Sequence, residues 1–357
     1  MFQPASPAGQ SNGVSKRTPQ SWNFGSSIYV YQWQNSTPEI LKFLPGARGN
    51  TAPFAKITGP FTQLGDARSM AVDPQGYLYV PRATIMPPPA PPNAILVFAP
   101  YANGNVPPVR VITGNATLLQ EGFIDKIDVD ANGFVYAAIQ GKIPFLGFGE
   151  RILVFPPGVN GNFPPVVINP DILQPHFIGN VAVGPTSVYA LGGTLVGPGP
   201  SITLFPHGSS GLVPPTCTID KPISELPGNN FGFAASPSIN SGGTGTVYAA
   251  VLPPVLPLEY QINTYNDCIS KPVAILRGPN TGMQEVIGIA TDRIGFLYVL
   301  DAGGIFGSAS VRMWSPTNQE GDNFPDFILV GPSTGFTNGP GGVAAITIGP
   351  GSPLAPP

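Results

Sequence analysis

The stretch ILVFAPYANGNVPPVRVITG, from Ile95 to Gly114, is one copy of a unit that recurs along the chain. ILKFLPGARGNTAPFAKITG spans Ile40 to Gly59, and ILVFPPGVNGNFPPVVINP spans Ile152 to Pro170. Self-similarity at a spacing of roughly 50 to 60 residues marks a supersecondary unit that cannot bury its apolar face alone and must stack on its neighbours. Within each copy, period-2 alternation punctuated by Pro and Asn-Gly turns predicts four short strands. The first strand is rich in small residues, as in ARSMAVDPQG (67–76), DKIDVDANG (125–133) and VIGIATDRIG (286–295). YLYV, FVYA, VYAL, VYAA and FLYV supply the second strand, ILVF, ITLF and VRMW the third, and PPVRVITG, PPTCTID and KPVAILRG the fourth.

Counting strands decides the architecture. The chain opens with a second, third and fourth strand (IYVY at 28–31, then ILKF and PFAKITG) and closes with a lone first strand, GVAAITIGPG at 342–351. Only a closed ring lets that last strand complete the sheet begun near the N-terminus, and such radial repetition also protects the sheet edges. The expected fold is all-β: a six-bladed β-propeller of four-stranded antiparallel blades over 28–351. A Pro, Gly and Ser-rich arm (1–27) precedes it and a short tail (352–357) follows.

Composition agrees with a packed, turn-rich structure. Gly 45 and Pro 46 make up roughly a quarter of the 357 residues while 42% of the chain is hydrophobic, so these residues punctuate a core and do not dilute it. Charged residues are only 10% and the net charge is -3, which leaves no basic stripe for nucleic acid. No run of 18 or more apolar residues is present, so no membrane-spanning helix is expected. The first 22 residues lack the apolar centre of a signal peptide. A surface of Asn, Ser, Thr, Gln, Gly and Pro points to an extracellular or cell-surface protein. Cys217 and Cys268 fall in neighbouring repeats, and two readings stay open: a cross-blade disulfide, or two unrelated thiols.

GIATDRIGFLYVLDAG followed by VRMWSP resembles an NHL-type repeat, and ILVFAPYANGN resembles the repeats of poorly characterised secreted bacterial propellers. The resemblance covers Ser27 to Gly351. It implies the fold and leaves function open, because propellers of this kind include lactonases, amidating lyases and purely binding proteins.

Residue types that recur in every blade serve what every blade needs. Tyr29, Tyr79, Tyr136, Tyr189, Tyr248 and Tyr298 share one place in the second strand, and Phe43, Phe98, Phe155, Phe205, Tyr265 and Trp314 one place in the third. Both columns are expected to pack between blades. Asp73, Asp130 and Asp292 stand where the first strand turns into the second and are expected to make Asx-type turn bonds. Chemistry would show instead as asymmetric polar residues at the channel mouth. His176, Glu121, Arg68 and Glu285 are the candidates for a hydrolase or lyase, with Glu121, Asn180 and Asp301 as a lactonase-like metal cage that no motif spacing supports. One channel-mouth His cannot build the His cluster of the amidating lyases, and no GxSxG is present. No cofactor or metal is expected.

The loops joining second to third strands are unusually apolar: RATIMPPPAPPNA, GKIPFLGFGE, GGTLVGPGP, LPPVLPLE and AGGIFGSA. Ile85, Met86, Phe145, Leu146, Phe148, Leu195, Val255, Leu256, Ile305 and Phe306 would project from one face, as a plug over the channel or as a patch for a partner. The arm adds Trp22 and Phe24. The favoured expectation is a non-enzymatic binding or assembly protein whose partner is another protein or a second copy of itself. A channel-mouth enzyme and a glycan-binding propeller are the alternatives.

Overall fold

A computed structural model describes residues 25–83, 91–143, 147–169, 176–194, 200–220, 232–236, 238, 240, 243–252, 259–304, 307–338 and 342–350. Its strands form six sheets, each built on four antiparallel strands in the order innermost, second, third, outermost; in one sheet the short strand Gly211–Leu212 adds a fifth, parallel. Blade 1 is composite: Val343–Pro350 lies innermost, against Ser26–Gln34, Thr37–Phe43 and Ala55–Thr58. The register Tyr29 to Thr347 and Val30 to Ile346 closes the ring as the strand count requires.

Blades 2 to 6 follow in chain order. Blade 2 contains Ala71–Val72, Leu78–Arg82, Ala94–Phe98 and Arg110–Ile112, and blade 3 Gly122–Val129, Val135–Ile143, Gly147–Phe155 and Val166–Asn169. Blade 4 is His176–Val183, Ser187–Thr194, Pro200–Pro206 and Cys217–Asp220. Blade 5 is Phe233–Ala235, Thr246–Val251, Gln261–Asn266 and Ala274–Arg277; blade 6 is Val286–Thr291, Leu297–Asp301, Ser310–Trp314 and Phe327–Leu329. Among the described residues no helix is long and apolar enough to cross a membrane.

The core is a set of layers between consecutive blades, because each twisted sheet has two apolar faces to cover. Blades 1 and 2 share Tyr29, Ile40, Leu78 and Phe98; blades 4 and 5 share Tyr189, Leu204, Val247 and Tyr265. The tyrosine column and the third-strand aromatic column are buried in these layers. Hydroxyls there need partners, since an unpaired buried one costs about 1–3 kcal/mol. Tyr79 and Tyr298 donate to Asp73 and Asp292 of their own blades, and those carboxylates also accept from the turn amides of Tyr77 and Phe296.

The Asn-Gly loops are more than hairpin turns. Gly104 donates its N–H to Lys56 O (2.6 Å) and accepts from Thr58 N (3.2 Å), so a loop of blade 2 latches the outermost strand of blade 1. Gly161 does the same to blade 2, Gly321 to blade 5 and Gly49 to blade 6, and Gly211 pairs with Ile168 of blade 3. All five have φ between 59° and 75°, the left-handed region that a side chain disfavours. The residue after the glycine reinforces the latch: Asn105, Asn162, Asn50 and Asp322 each accept, through Oδ1, a backbone N–H of the neighbouring blade's 3-10 turn at 2.7–2.8 Å. The junction of blades 4 and 5 has no such bridge among the described residues. Cys217 and Cys268 are bonded there instead, outermost strand of blade 4 to loop of blade 5.

Candidate functional site

The innermost strands surround a central cavity of about 1150 Å³. Each of these strands is a sheet edge, with backbone groups that face the channel and need partners. Side chains of other blades supply them. Ser69 Oγ accepts from Ile127 N (3.0 Å), Asp128 Oδ2 from Val183 N (2.8 Å), and Thr291 Oγ1 donates to Ala235 O (2.9 Å). Lys126 Nζ reaches from blade 3 to the Phe233 carbonyl of blade 5.

Four innermost strands carry a bulge, at which register shifts by one residue. The extra residues are Asp125 in blade 3, Gly179 in blade 4, Ile287 in blade 6 and Ala344 in blade 1, and all four line the cavity. A bulge breaks strict alternation and re-aims a side chain. In blade 3 it brings Asp125 and Lys126 to the channel together, where three other blades present Gly, Ile or Ala. Asp128 lines the same wall two residues on.

This charged wall is asymmetric and electrostatically costly. Enclosure pushes the Asp125 carboxyl up to about 6, against the pull of the Arg68 guanidinium. Asp128 is likewise pushed up to about 6 by enclosure, although Val183 N, Val129 N and the Lys126 charge all favour its ionised form. Loss of hydration lowers the Lys126 ammonium to about 8, and Asp128 works in the opposite direction. Lys126 and Asp128 are thus partly committed to other blades. Asp125 accepts no hydrogen bond from the described residues. Beside it Arg68 is exposed, its guanidinium 4.8 Å from the centre of the Phe123 ring.

Two of the four residues expected at the channel mouth, Arg68 and Glu285, line this cavity. Glu121 does not: it ends a short 3-10 turn, is exposed, and pairs with Arg151. His176 begins the innermost strand of blade 4, but its side chain lies outside the described residues. The metal cage does not assemble. Asn180 is buried in the channel wall, whereas Asp301 is fully buried, accepts from Gln284 N and Gly303 N (both 2.7 Å) and faces Arg312. Among the described residues no group of three or more His, Cys, Asp and Glu side chains is placed to hold a metal ion. Ile85, Met86, Phe145, Leu146, Leu195, Val255, Leu256, Ile305, Phe306, Trp22 and Phe24 lie outside the described residues, as does the Phe148 side chain.

Asp125, Lys126 and Asp128 are the site residues that sequence reasoning passed over. DKIDV predicts a strand and lies in one, Gly122–Val129, whereas the expected candidates for chemistry stand outside that run. Setting FIDKIDVD of blade 3 beside FIGNVAVG of blade 4 would have exposed the anomaly, because charges replace Gly, Asn and Ala in one copy alone of that pair.

The sequence matches no family model, and no curated protein matches it. Similar solved structures include the WD40 domain of Toxoplasma gondii coronin (11% identity, TM-score 0.42, covering 75% of this chain and 71% of that one). A gluconolactonase from Xanthomonas campestris is 12% identical with a TM-score of 0.45, covering 88% of this chain and 87% of its own. The Hadza microbial sialidase is 12% identical with a TM-score of 0.49, covering 83% and 64%. Likenesses this remote carry nothing about activity, and the fold rests on the strand topology above.

Proposed function

We propose that this chain is an extracellular or cell-surface binding propeller that takes a small polar ligand in its channel, at the wall formed by blade 3. The observation that carries the reading is the bulge at Asp125. It presents a carboxyl that accepts no hydrogen bond from the described residues, next to Arg68, in a cavity large enough for a small molecule. Perturbed titration of several groups in one cleft is a recognised mark of a functional site. The disulfide supports an oxidising compartment. A thermal-shift screen of small polar compounds tests the proposal: at least one should raise the melting temperature of the native chain and leave Asp125→Asn unmoved. If every stabilising compound acts equally on that variant, the channel reading fails.

A second reading is supported by the same two carboxyls. A hydrolase or lyase needs an acid or base poised near working pH, and Asp125 and Asp128 both lie near 6. Turnover lost in Asp125→Asn, with the melting temperature kept, would favour it over simple binding. The assembly reading, with the apolar loops and the arm meeting a protein partner or a second copy, rests on sequence. Light scattering of the chain with and without residues 1–25 tests it.

A further inference from the structure

We propose that the Cys217–Cys268 disulfide is a thiol-exchange site that unlocks the seam between blades 4 and 5; the inference is independent of the channel reading. Five junctions are latched by two backbone hydrogen bonds or a strand pairing around a left-handed glycine, and a thiol cannot touch them. Among the described residues the seam has no equivalent backbone bridge, so the covalent bond stands in its place.

Three features make the bond an exchange site. Cys268 is exposed and Cys217 half-buried, so a reductant can approach the Cys268 sulfur, and accessible disulfides are the labile ones. Cys268 stands three residues after the third-strand aromatic Tyr265, where blades 1, 3 and 4 place Gly46, Gly158 and Gly208. Those glycines have φ of 75–78°, and Cys268 takes the same left-handed position at 60° with a side chain, which places backbone strain beside the bond. Finally, the bond lies next to Asp267, which fastens the same seam. That carboxylate accepts from Thr186 Oγ1 (2.9 Å) and the Tyr189 hydroxyl (2.5 Å) of blade 4, and from Gly245 N (3.0 Å) of blade 5.

The chemistry needs a dithiol as partner. One of its thiolates attacks Cys268 Sγ, the S–S bond breaks, and Cys217 leaves as a thiolate that takes a proton. The second thiol of the reductant then attacks the mixed disulfide, releasing Cys268 as the other thiol and leaving the reductant oxidised. Two electrons and two protons pass to the protein. The seam is then held only by the Asp267 hydrogen bonds and the shared core, while the other five junctions keep their backbone latches.

Amide hydrogen exchange of the full chain, with and without dithiothreitol, tests this. Exchange at Gly245 and Asp267 should accelerate at least tenfold on reduction, with Gly104, Gly161 and Gly321 within twofold of their oxidised rates. An equal rise at every junction, or none at Gly245, overturns the proposal. The double variant Cys217→Ser with Cys268→Ser should show the reduced pattern and no response to dithiothreitol. Should that variant not fold, iodoacetamide trapping of the native chain decides accessibility. Full labelling of both cysteines by native reduction is expected, and labelling only after denaturation overturns the exchange site.

Discussion

Five blade junctions and the sixth solve one problem by different means. Around most of the ring, a glycine at positive φ lets a loop lie against the neighbouring blade's outermost strand and trade hydrogen bonds with it. Between blades 4 and 5 side chains do that work, through the disulfide and Asp267. The tyrosine column shows the same substitution. Tyr79 and Tyr298 use an Asp of their own turns, whereas Tyr189 and Tyr248 take theirs from the following blade, Asp267 and Gln319. A repeat protein can thus lose a local element and keep the contact, provided that the next repeat supplies it.

Removing each kind of fastening sharpens the contrast. The largest effect is expected for Cys217→Ser with Cys268→Ser. The bond closes a loop with a sequence separation of 51, and the chain-entropy estimate for such a loop is about 4 kcal/mol, read as a loss in urea unfolding. Asp267→Ala comes next, at roughly 2–3 kcal/mol, because it strips the buried Tyr189 hydroxyl and Gly245 N of their acceptor. Asp267→Asn should recover part of that loss by restoring an acceptor. At an ordinary junction, Gly104→Ala places a Cβ at φ 75° and should cost about 1–2 kcal/mol, with open space around the added carbon. If Gly104→Ala proves as costly as cutting the disulfide, the two kinds of junction are equivalent and the contrast collapses.

Much of the fold is legible in the sequence, since period-2 strands, a repeat of fixed spacing and one orphan strand at the C-terminal end leave a closed ring as the answer. Turn aspartates and aromatic columns are legible for the same reason: Asp73, Asp130 and Asp292 recur at one place, so their job is shared. The latches are not, because the glycine of ANGN contacts Ile57, far back in the chain, and nothing local distinguishes that from a simple hairpin. The channel site is hidden by the bulge. Strict alternation would send Asp125 and Lys126 to opposite faces, and the one-residue slip after Ile124 is a tertiary event.

The ties along the channel wall give the smallest effect and the most specific one. Blade 2 ties to blade 3 by a neutral group, Ser69, and blade 6 to blade 5 by Thr291, whereas blade 3 reaches blades 4 and 5 through the charges of Asp128 and Lys126. Those charges make the ties of blade 3 sensitive to pH. With carboxyls at about 6 in the folded chain and near 3.8 when unfolded, the folded state alone holds the proton between those values. Stability from these groups is therefore full below pH 3.8 and lost as pH rises through 6. Lys126, lowered from 10.5 to about 8, contributes in the opposite sense, with stability lost as pH falls from 10.5 through 8. The cluster should be least favourable between pH 6 and 8. Asp128→Asn should raise stability there by about 1 kcal/mol, the relief of desolvation offset by weaker acceptance from Val183 N. It should give no gain at pH 4. Ser69→Ala, at a neutral tie, should lower stability by a similar amount without that pH dependence, and a melting series from pH 4 to 9 on the two variants separates a charged stitch from a neutral one.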